Sequence, residues 1–164
     1  MKKLNQEETN SSILVSGGAA WIDHIAIELF SRRDDKKERL FKGIHLYLPC
    51  KWDRATRSFK AHPDAFSANR YHNQFSRKIY GNHSHSLSQI DELVKESKHN
   101  TNIKIIDNCI GFIARNSLVA LHCDRMIAAT FSTGKSPISG GTKNTWTKAS
   151  KRLSDDKMCH MCIG

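Results

Sequence analysis

The sequence predicts an α/β fold of Rossmann-like type, a mainly parallel sheet of about five strands with helices on both faces. Three observations support this prediction. Short runs of β-forming apolar residues alternate with segments whose apolar residues recur at helical spacing. The first strand-like run, residues 12–16, leads through Gly17-Gly18 directly into a helical pattern. The length of 164 residues fits one domain with a sizeable core.

Each element has its own local pattern. The first helix has Ile22, Ile25 and Leu29 on one face, and the second strand is a β-forming run that stops at Pro49. Because strands and helices alternate, we expect a parallel sheet with right-handed crossovers. Strands are predicted over residues 12–16, 43–50, 103–106, 126–131 and 157–163, and helices over 21–30, 68–78, 87–97, 113–122 and 142–152.

The chain divides into a short lead-in and one domain. Residues 1–11 are polar and are predicted to be disordered, whereas 12–164 form a single Rossmann-like nucleotide-binding domain. Within it, residues 51–85 form a long polar insert with one short helix near 68–78. A loop of this length in a compact domain is usually functional or disordered, and the aromatic residues of the insert argue against pure disorder.

The charge balance favours an anionic partner without selecting one. The chain has 26 Lys and Arg against 16 Asp and Glu, a formal net charge of +10. A basic surface attracts nucleic acid and phosphorylated small molecules alike. The basic residues are dispersed along the chain, which favours a nucleotide-type small molecule over nucleic acid as the partner.

The cysteines and the N-terminus indicate a cytoplasmic protein. Five cysteines at irregular spacing and a polar N-terminal segment without an apolar core predict reduced thiols and no secretory signal. No apolar run approaches the ~20 residues that span a bilayer, so no membrane association is expected. His83-Ser-His85 and Cys159-His-Met-Cys162 lack a second spaced ligand pair, so we predict no metal and no cofactor.

The first glycine turn is a candidate anion site. Gly17 and Gly18 would let backbone N–H groups approach an anion, and the helix that follows adds its positive N-terminal dipole. Ser16 can donate a hydroxyl to the same group. We expect the carboxylate of Asp23 to interact favourably with the helix dipole or to hold the glycine turn in place. The alternative is that it accepts a hydrogen bond from a ribose hydroxyl. A tight turn without a ligand remains the alternative interpretation.

A second glycine turn repeats the pattern. Gly140, Gly141 and Thr142 precede a helix, and Thr142 can either cap that helix or donate to a phosphate. Lys135 and Ser136 lie in the loop before it. This loop is not a P-loop, because Ala129 stands where the upstream glycine would be.

Arg115 and Asn116 open a later helix and complete the candidate site. The planar guanidinium of Arg115 has a geometry that suits phosphate binding. The alternative interpretation is that Arg115 is a solvent-exposed helix residue without a ligand. Both glycine turns follow strands and precede helices, so we expect them at the same carboxyl edge of the sheet. Arg115 and Thr142 are then expected to act on one anion.

These motifs, in this order, resemble the SLOG superfamily of Rossmann-like proteins, and above all its small uncharacterised members. The resemblance spans residues 12–152 and implies a nucleotide-type ligand over the two glycine turns. The residues that match are Ile13-Leu-Val-Ser-Gly-Gly-Ala19 with Asp23, Ala114-Arg-Asn116, Met126-Ile-Ala-Ala-Thr-Phe131, Gly134-Lys-Ser136 and Gly140-Gly-Thr142. The phosphoribohydrolases of this superfamily carry a catalytic glutamate where this chain has Thr145, and a proline and a glycine of their signature are also absent.

Three hypotheses follow. The first is a sensor or sequestering module that binds a phosphate-bearing nucleotide derivative, ADP-ribose-like or cyclic. The second is a hydrolase or transferase that acts on an N-glycosidic or phosphate bond, with Asp23, His72 or Glu28 as candidate catalytic groups. The third is single-stranded nucleic-acid binding, in which bases stack on the aromatic residues of the insert: Trp52, Phe59 or Tyr71. The sequence leaves homo-oligomer formation open.

Overall fold

The computed structural model describes residues 6–163 and has an α/β fold. Two short 3-10 turns, Trp21–His24 and Asp155–Lys157, supplement the helices and strands. The strands are β1 (Ile13–Ser16), β2 (Gly43–Tyr47), β3 (Lys51–Asp53), β4 (Ser58–Lys60), β5 (Ile103–Ile106), β6 (Met126–Thr130) and β7 (Met158–Cys162). The helices are α1 (Gln6–Ser11), α2 (Ile25–Ser31), α3 (Asp64–Tyr80), α4 (His85–Glu96), α5 (Gly111–His122) and α6 (Gly140–Ala149).

A three-stranded parallel sheet in the order β1-β2-β5 forms the centre, with helices against it. Ile44 and Leu46 on β2 are fully buried, as expected for the middle strand of a parallel sheet. They pack with Ile27, Phe30 and residues of the α3–α4 region in one apolar core. The parallel α/β class predicted from the sequence is therefore confirmed.

The predicted single sheet of about five strands is wrong, because the strands divide into separate groups. β6 and β7 pair with each other in parallel and share no backbone hydrogen bonds with β1 in the part of the chain that the structure describes. A second, smaller apolar cluster accompanies the division. Ala120, Cys123, Ala149 and Leu153 pack together in a cluster separate from the main core. β6 and β7 contribute Met126 and Met158 to the edge of this cluster.

The insert over 51–85 is ordered rather than a polar loop. β3 and β4 form an antiparallel hairpin, and α3 runs for 17 residues instead of the short predicted helix near 68–78. Trp52 and Phe59 are buried core residues, so the predicted stacking of bases on them is wrong. Asp91 on α4 fixes the hairpin by accepting a hydrogen bond from the indole N–H of Trp52 at 3.3 Å.

The first and the last helix also differ from the sequence prediction. Gln6–Ser11 is a short helix where disorder was predicted, and residues 1–5 lie outside the described residues. The last helix begins at Gly140 with Ser139 as its N-cap, so Thr142 lies inside the first turn and does not cap the helix. None of the described helices combines the length and apolar character needed to cross a bilayer.

Candidate functional site

The first glycine turn follows β1 and is buried. Gly18 has φ +58°, and a Cβ there would lie 2.6 Å from Cδ2 of Leu48, so both its conformation and its surroundings require glycine. Ser16 organises the turn from within. Its hydroxyl accepts from the N–H of Gly18 at 3.1 Å and donates to the carbonyl of Asp23 at 2.8 Å.

His72 of α3 supports this turn from the core side. Its Nε2–H donates to the carbonyl oxygen of Gly18 at 3.0 Å, since a carbonyl can only accept, and Nδ1 lies 3.1 Å from Oγ of Ser86. The side chain is 1% exposed. Burial, followed by the nearby ring of His24, lowers the pKa of His72 to about 3. The imidazole is therefore neutral and holds the turn in place.

Glu28 belongs to a polar network beside these histidines. Its carboxylate accepts from the hydroxyl of Tyr80 at 2.5 Å and from the amide of Gln89 at 2.7 Å. Burial acts to raise the pKa of Glu28, but the hydrogen bonds from Tyr80 and Gln89, together with the nearby His24 and His85, lower it overall. Gln89 Oε1 in turn lies 2.7 Å from Nε2 of His24, whose pKa is lowered chiefly by burial. The network joins α2 to α3 and α4.

Arg115 is buried against the first glycine turn, with 6% of its surface exposed. Its Nη1 donates to the carbonyl of Gly17 at 3.2 Å and lies 3.4 Å from the carboxylate of Asp23. Its Nε and Nη2 donate to Oδ1 of Asn116 at 3.1 and 2.7 Å. A Cβ on Gly17 would lie 2.7 Å from Nε of Arg115, so the guanidinium occupies the space beside this glycine. Arg115 is therefore not the solvated helix residue considered from the sequence.

Asn116 connects Arg115 to the second glycine turn. While its Oδ1 accepts from Arg115, its Nδ2 donates to the carbonyl of Gly141 at 3.4 Å. The side chain of Thr145 donates to the same carbonyl at 3.1 Å. The two glycine turns thus lie at the two ends of the Arg115–Asn116 pair.

The second turn is exposed where the first is buried. Gly140 has φ +75° with open space around the position of a Cβ, and Gly141 is exposed at the start of α6. Thr142 is half-buried in the first turn of the helix. Lys135 and Ser136 are exposed, and no hydrogen bond connects their side chains to another residue of the described chain. The structure therefore brings Ser16, Gly17, Gly18, Asp23, Arg115, Asn116 and Gly141 together and leaves Lys135 and Ser136 in the solvated loop.

A cavity of about 350 Å³ lies at the carboxyl end of β6, and sequence reasoning missed it. A sequence pattern could have indicated it, because Phe131 and Ile138 are apolar residues within a loop otherwise rich in Gly and Ser. Both are more than half exposed, at 80% and 65%. The cavity is lined by Ile22, Thr130, Phe131, Ser132, Ile138 and Ser139. Ser139, the N-cap of α6, places the start of that helix at the cavity wall.

Metal-ligand side chains do not converge in the described part of the chain. Between residues 6 and 163, no group of three or more His, Cys, Asp or Glu side chains could hold a metal ion.

Comparison with known proteins finds a viral relative. The chain is 37% identical over 152 residues to the uncharacterized protein R261 of Acanthamoeba polyphaga mimivirus. The alignment covers 89% of this chain and 71% of the relative. No protein-family model matches the chain, and no solved structure matches it.

The packing around Gly18 predicts a larger stability loss there than at another glycine with positive φ. Gly81 has φ +70° but open space around it, whereas Gly18 also faces Leu48. Gly81→Ala should cost about 1–2 kcal/mol of unfolding free energy from backbone strain. Gly18→Ala should cost about 1–3 kcal/mol more, because Leu48 must move. Urea unfolding of both variants measures the difference, and equal losses would contradict the observed packing.

The burial of His72 predicts that acid weakens the fold. Its pKa is lowered from 6.5 to about 3, so below pH 6.5 the unfolded chain binds a proton that the folded chain excludes. The contribution of this residue to stability is present above that pH and is lost progressively as the pH falls toward 3. Unfolding free energies measured across this range should fall more steeply for the native chain than for His72→Gln, which keeps a donor for Gly18. Identical pH profiles would show that His72 does not titrate as described.

Proposed function

The chain belongs to the family of the uncharacterized mimivirus protein R261, and we propose that it binds a phosphate-bearing nucleotide or nucleotide derivative at the carboxyl edge of its parallel strands. We propose a sensor or sequestering role for this binding. The observation that carries the proposal is the buried Arg115–Asn116 pair, which contacts the carbonyls of Gly17 and Gly141 and so holds both glycine turns in one place. In open α/β folds, ligands bind at this edge.

The start of α6 is the proposed phosphate site. The first N–H groups of a helix have no partner within the helix, and the helix dipole places partial positive charge there. Gly140 and Gly141 carry no side chains of their own that would cover these donors, and Thr142 adds a hydroxyl. Lys135 and Ser136, exposed in the preceding loop, can approach the same anion.

The cavity beside this helix is the proposed site for the base. Ile22, Phe131 and Ile138 provide apolar surface, and Thr130 and Ser132 provide hydroxyls among them. Ligand sites are commonly apolar pockets with a few placed polar groups. A volume of about 350 Å³ falls at the lower end of the usual range for small-molecule pockets, ~300–1,000 Å³.

Arg115 positions this site rather than contacting the phosphate directly. Its guanidinium nitrogens are occupied by Gly17, Asn116 and Asp23, and its charge is compensated by the Asp23 carboxylate. We therefore revise the expectation that Arg115 and Thr142 share one anion. We propose instead that the anion binds to the N–H groups at the start of α6 and to the hydroxyl of Thr142.

Binding is favoured over hydrolysis by the state of the candidate catalytic groups. Thr145 stands at the position of the phosphoribohydrolase glutamate, and its hydroxyl donates a hydrogen bond to the carbonyl of Gly141. Asp23 pairs with Arg115, and Glu28 is held by Tyr80 and Gln89. His72, the remaining candidate, is neutral and buried in the core.

We further propose that the family falls within the SLOG superfamily. The segments that carry the resemblance meet through hydrogen bonds: the turn after β1 with Gly17-Gly18, the first half of α5 with Arg115-Asn116, and the start of α6 with Gly140-Gly141. This proximity supports the assignment beyond the order of the motifs along the chain.

Substitution of Ser139 tests the proposal without disturbing the fold. Aspartate and asparagine are both good N-caps, so Ser139→Asp and Ser139→Asn should each keep or raise the melting temperature. Only aspartate adds a negative charge at the proposed phosphate site. Calorimetric titration with a panel of mono-, di- and cyclic nucleotides and ADP-ribose should show binding by the native chain and by Ser139→Asn. Affinity should fall roughly tenfold or more in Ser139→Asp.

Two results would contradict the proposed function. One is an absence of binding across the panel at millimolar ligand. The other is equal affinity in folded Ser139→Asp and Ser139→Asn proteins, which would place any bound nucleotide away from α6.

A further inference from the structure

A groove along the outward face of α3 belongs to neither the glycine turns nor the cavity near β6. It has a volume of about 320 Å³, and we refer to it as the α3 groove. Its lining includes Phe66, Arg70, Asn73, Gln74, Arg77 and His83. We propose that the α3 groove binds single-stranded nucleic acid, with cations on the phosphates, aromatic rings on the bases and amides at the base edges.

The charge of α3 is suited to a polyanion. Its only acidic residue is Asp64, whose carboxylate accepts from the N–H of Phe112 at 2.9 Å at the start of the helix. Arg70, Arg77 and Lys78 are exposed, and none forms an ion pair with another residue of the described chain.

Two cations next to α4 show the contrast, because carboxylates compensate them. Arg39 lies against Glu96 at 2.6 Å, and Lys95 against Asp91 at 2.6 Å. The outward face of α3 therefore presents positive charge that the described chain does not neutralise. Phosphate groups of a nucleic acid can provide that neutralisation and release bound counterions.

Exposed aromatic rings on the same helix favour a strand with accessible bases. Phe66 is 74% exposed at one end of the groove, and Tyr71 is 42% exposed. Cζ of Arg70 lies 5.3 Å from the ring centroid of Tyr71, so a cation and a ring form one platform. Aromatic rings stack on bases of any sequence, but in a duplex the faces of the bases are covered by their neighbours. This feature favours single strands over duplexes.

The amides and the length of the groove fit the same partner. Asn73 and Gln74 are exposed in the centre, where each offers a donor and an acceptor to a base edge. Phe66 and Arg77 are 11 positions apart, or about 16 Å along a helix axis. That length matches roughly four or five nucleotides at a stacked spacing of about 3.4 Å.

The α3 groove is separate from the proposed nucleotide site. His72, on the inward side of α3, holds Gly18, whereas the residues of the groove occupy the outward side. A change at Ser139 should therefore leave nucleic-acid binding intact, and the two proposals can fail independently.

Fluorescence anisotropy with a labelled 15-nucleotide single strand of mixed sequence tests the proposal across a range of salt concentrations. Arg70→Gln/Arg77→Gln removes two groove cations, and Arg32→Gln/Arg125→Gln removes two exposed cations elsewhere as the matched control. If both groove arginines contact phosphates, the slope of log affinity against log salt should fall by about 1.4 in the groove variant. Its affinity should fall roughly tenfold or more, and the control should keep nearly the native slope.

Phe66→Ala separates stacking from charge. It should weaken binding roughly tenfold while leaving the salt slope unchanged, because it removes a ring and no cation. Ser139→Asp should bind like the native chain. Three results would overturn the proposal: no binding at low salt, equal losses in the two arginine variants, or competition by a duplex of the same sequence as effective as that by the single strand.

Discussion

The burial of one cation, the guanidinium of Arg115, is the constraint on which the carboxyl edge of the fold depends. Burying an isolated charge is strongly unfavourable unless it is paired and hydrogen-bonded. Here the carbonyl of Gly17, the amide oxygen of Asn116 and the carboxylate of Asp23 meet that requirement together. Because these partners come from the turn after β1 and from α5, moving either element would leave the charge without compensation.

The same cation accounts for the difference between the two glycine turns. The guanidinium of Arg115 occupies the space beside Gly17, Leu48 occupies the space beside Gly18, and His72 holds the Gly18 carbonyl. The first turn is thereby fixed from three directions. The second turn is held through the carbonyl of Gly141, and its outer side is open. A fixed turn beside an open helix start is a suitable arrangement for binding an anion with little reorganisation.

Local patterns predicted the elements well where the determinants were local. The strand Ile103–Ile106 and the glycine turns follow from neighbouring residues alone. Interactions between distant residues decided the rest. The polar insert around it predicts an accessible Trp52, yet Asp91, 39 positions away, holds it in the core. The local sequence predicts either a solvated or a ligand-binding Arg115, because its contact with Gly17 spans 98 positions. The separate β6–β7 pair likewise lies beside a second apolar cluster, which is assembled from different segments of the chain.

The central claim is that a nucleotide binds at the start of α6 and that the Arg115–Asn116 pair couples this second glycine turn to the first. An amide-resolved NMR titration tests it most directly. The 15N-labelled chain would be titrated with the tightest-binding nucleotide of the calorimetric panel. The account predicts that the amides of Gly17 and Gly18 shift together with those of Gly140, Gly141 and Thr142, all with one dissociation constant. Shifts confined to α3, or shifts at only one of the two turns, would contradict it.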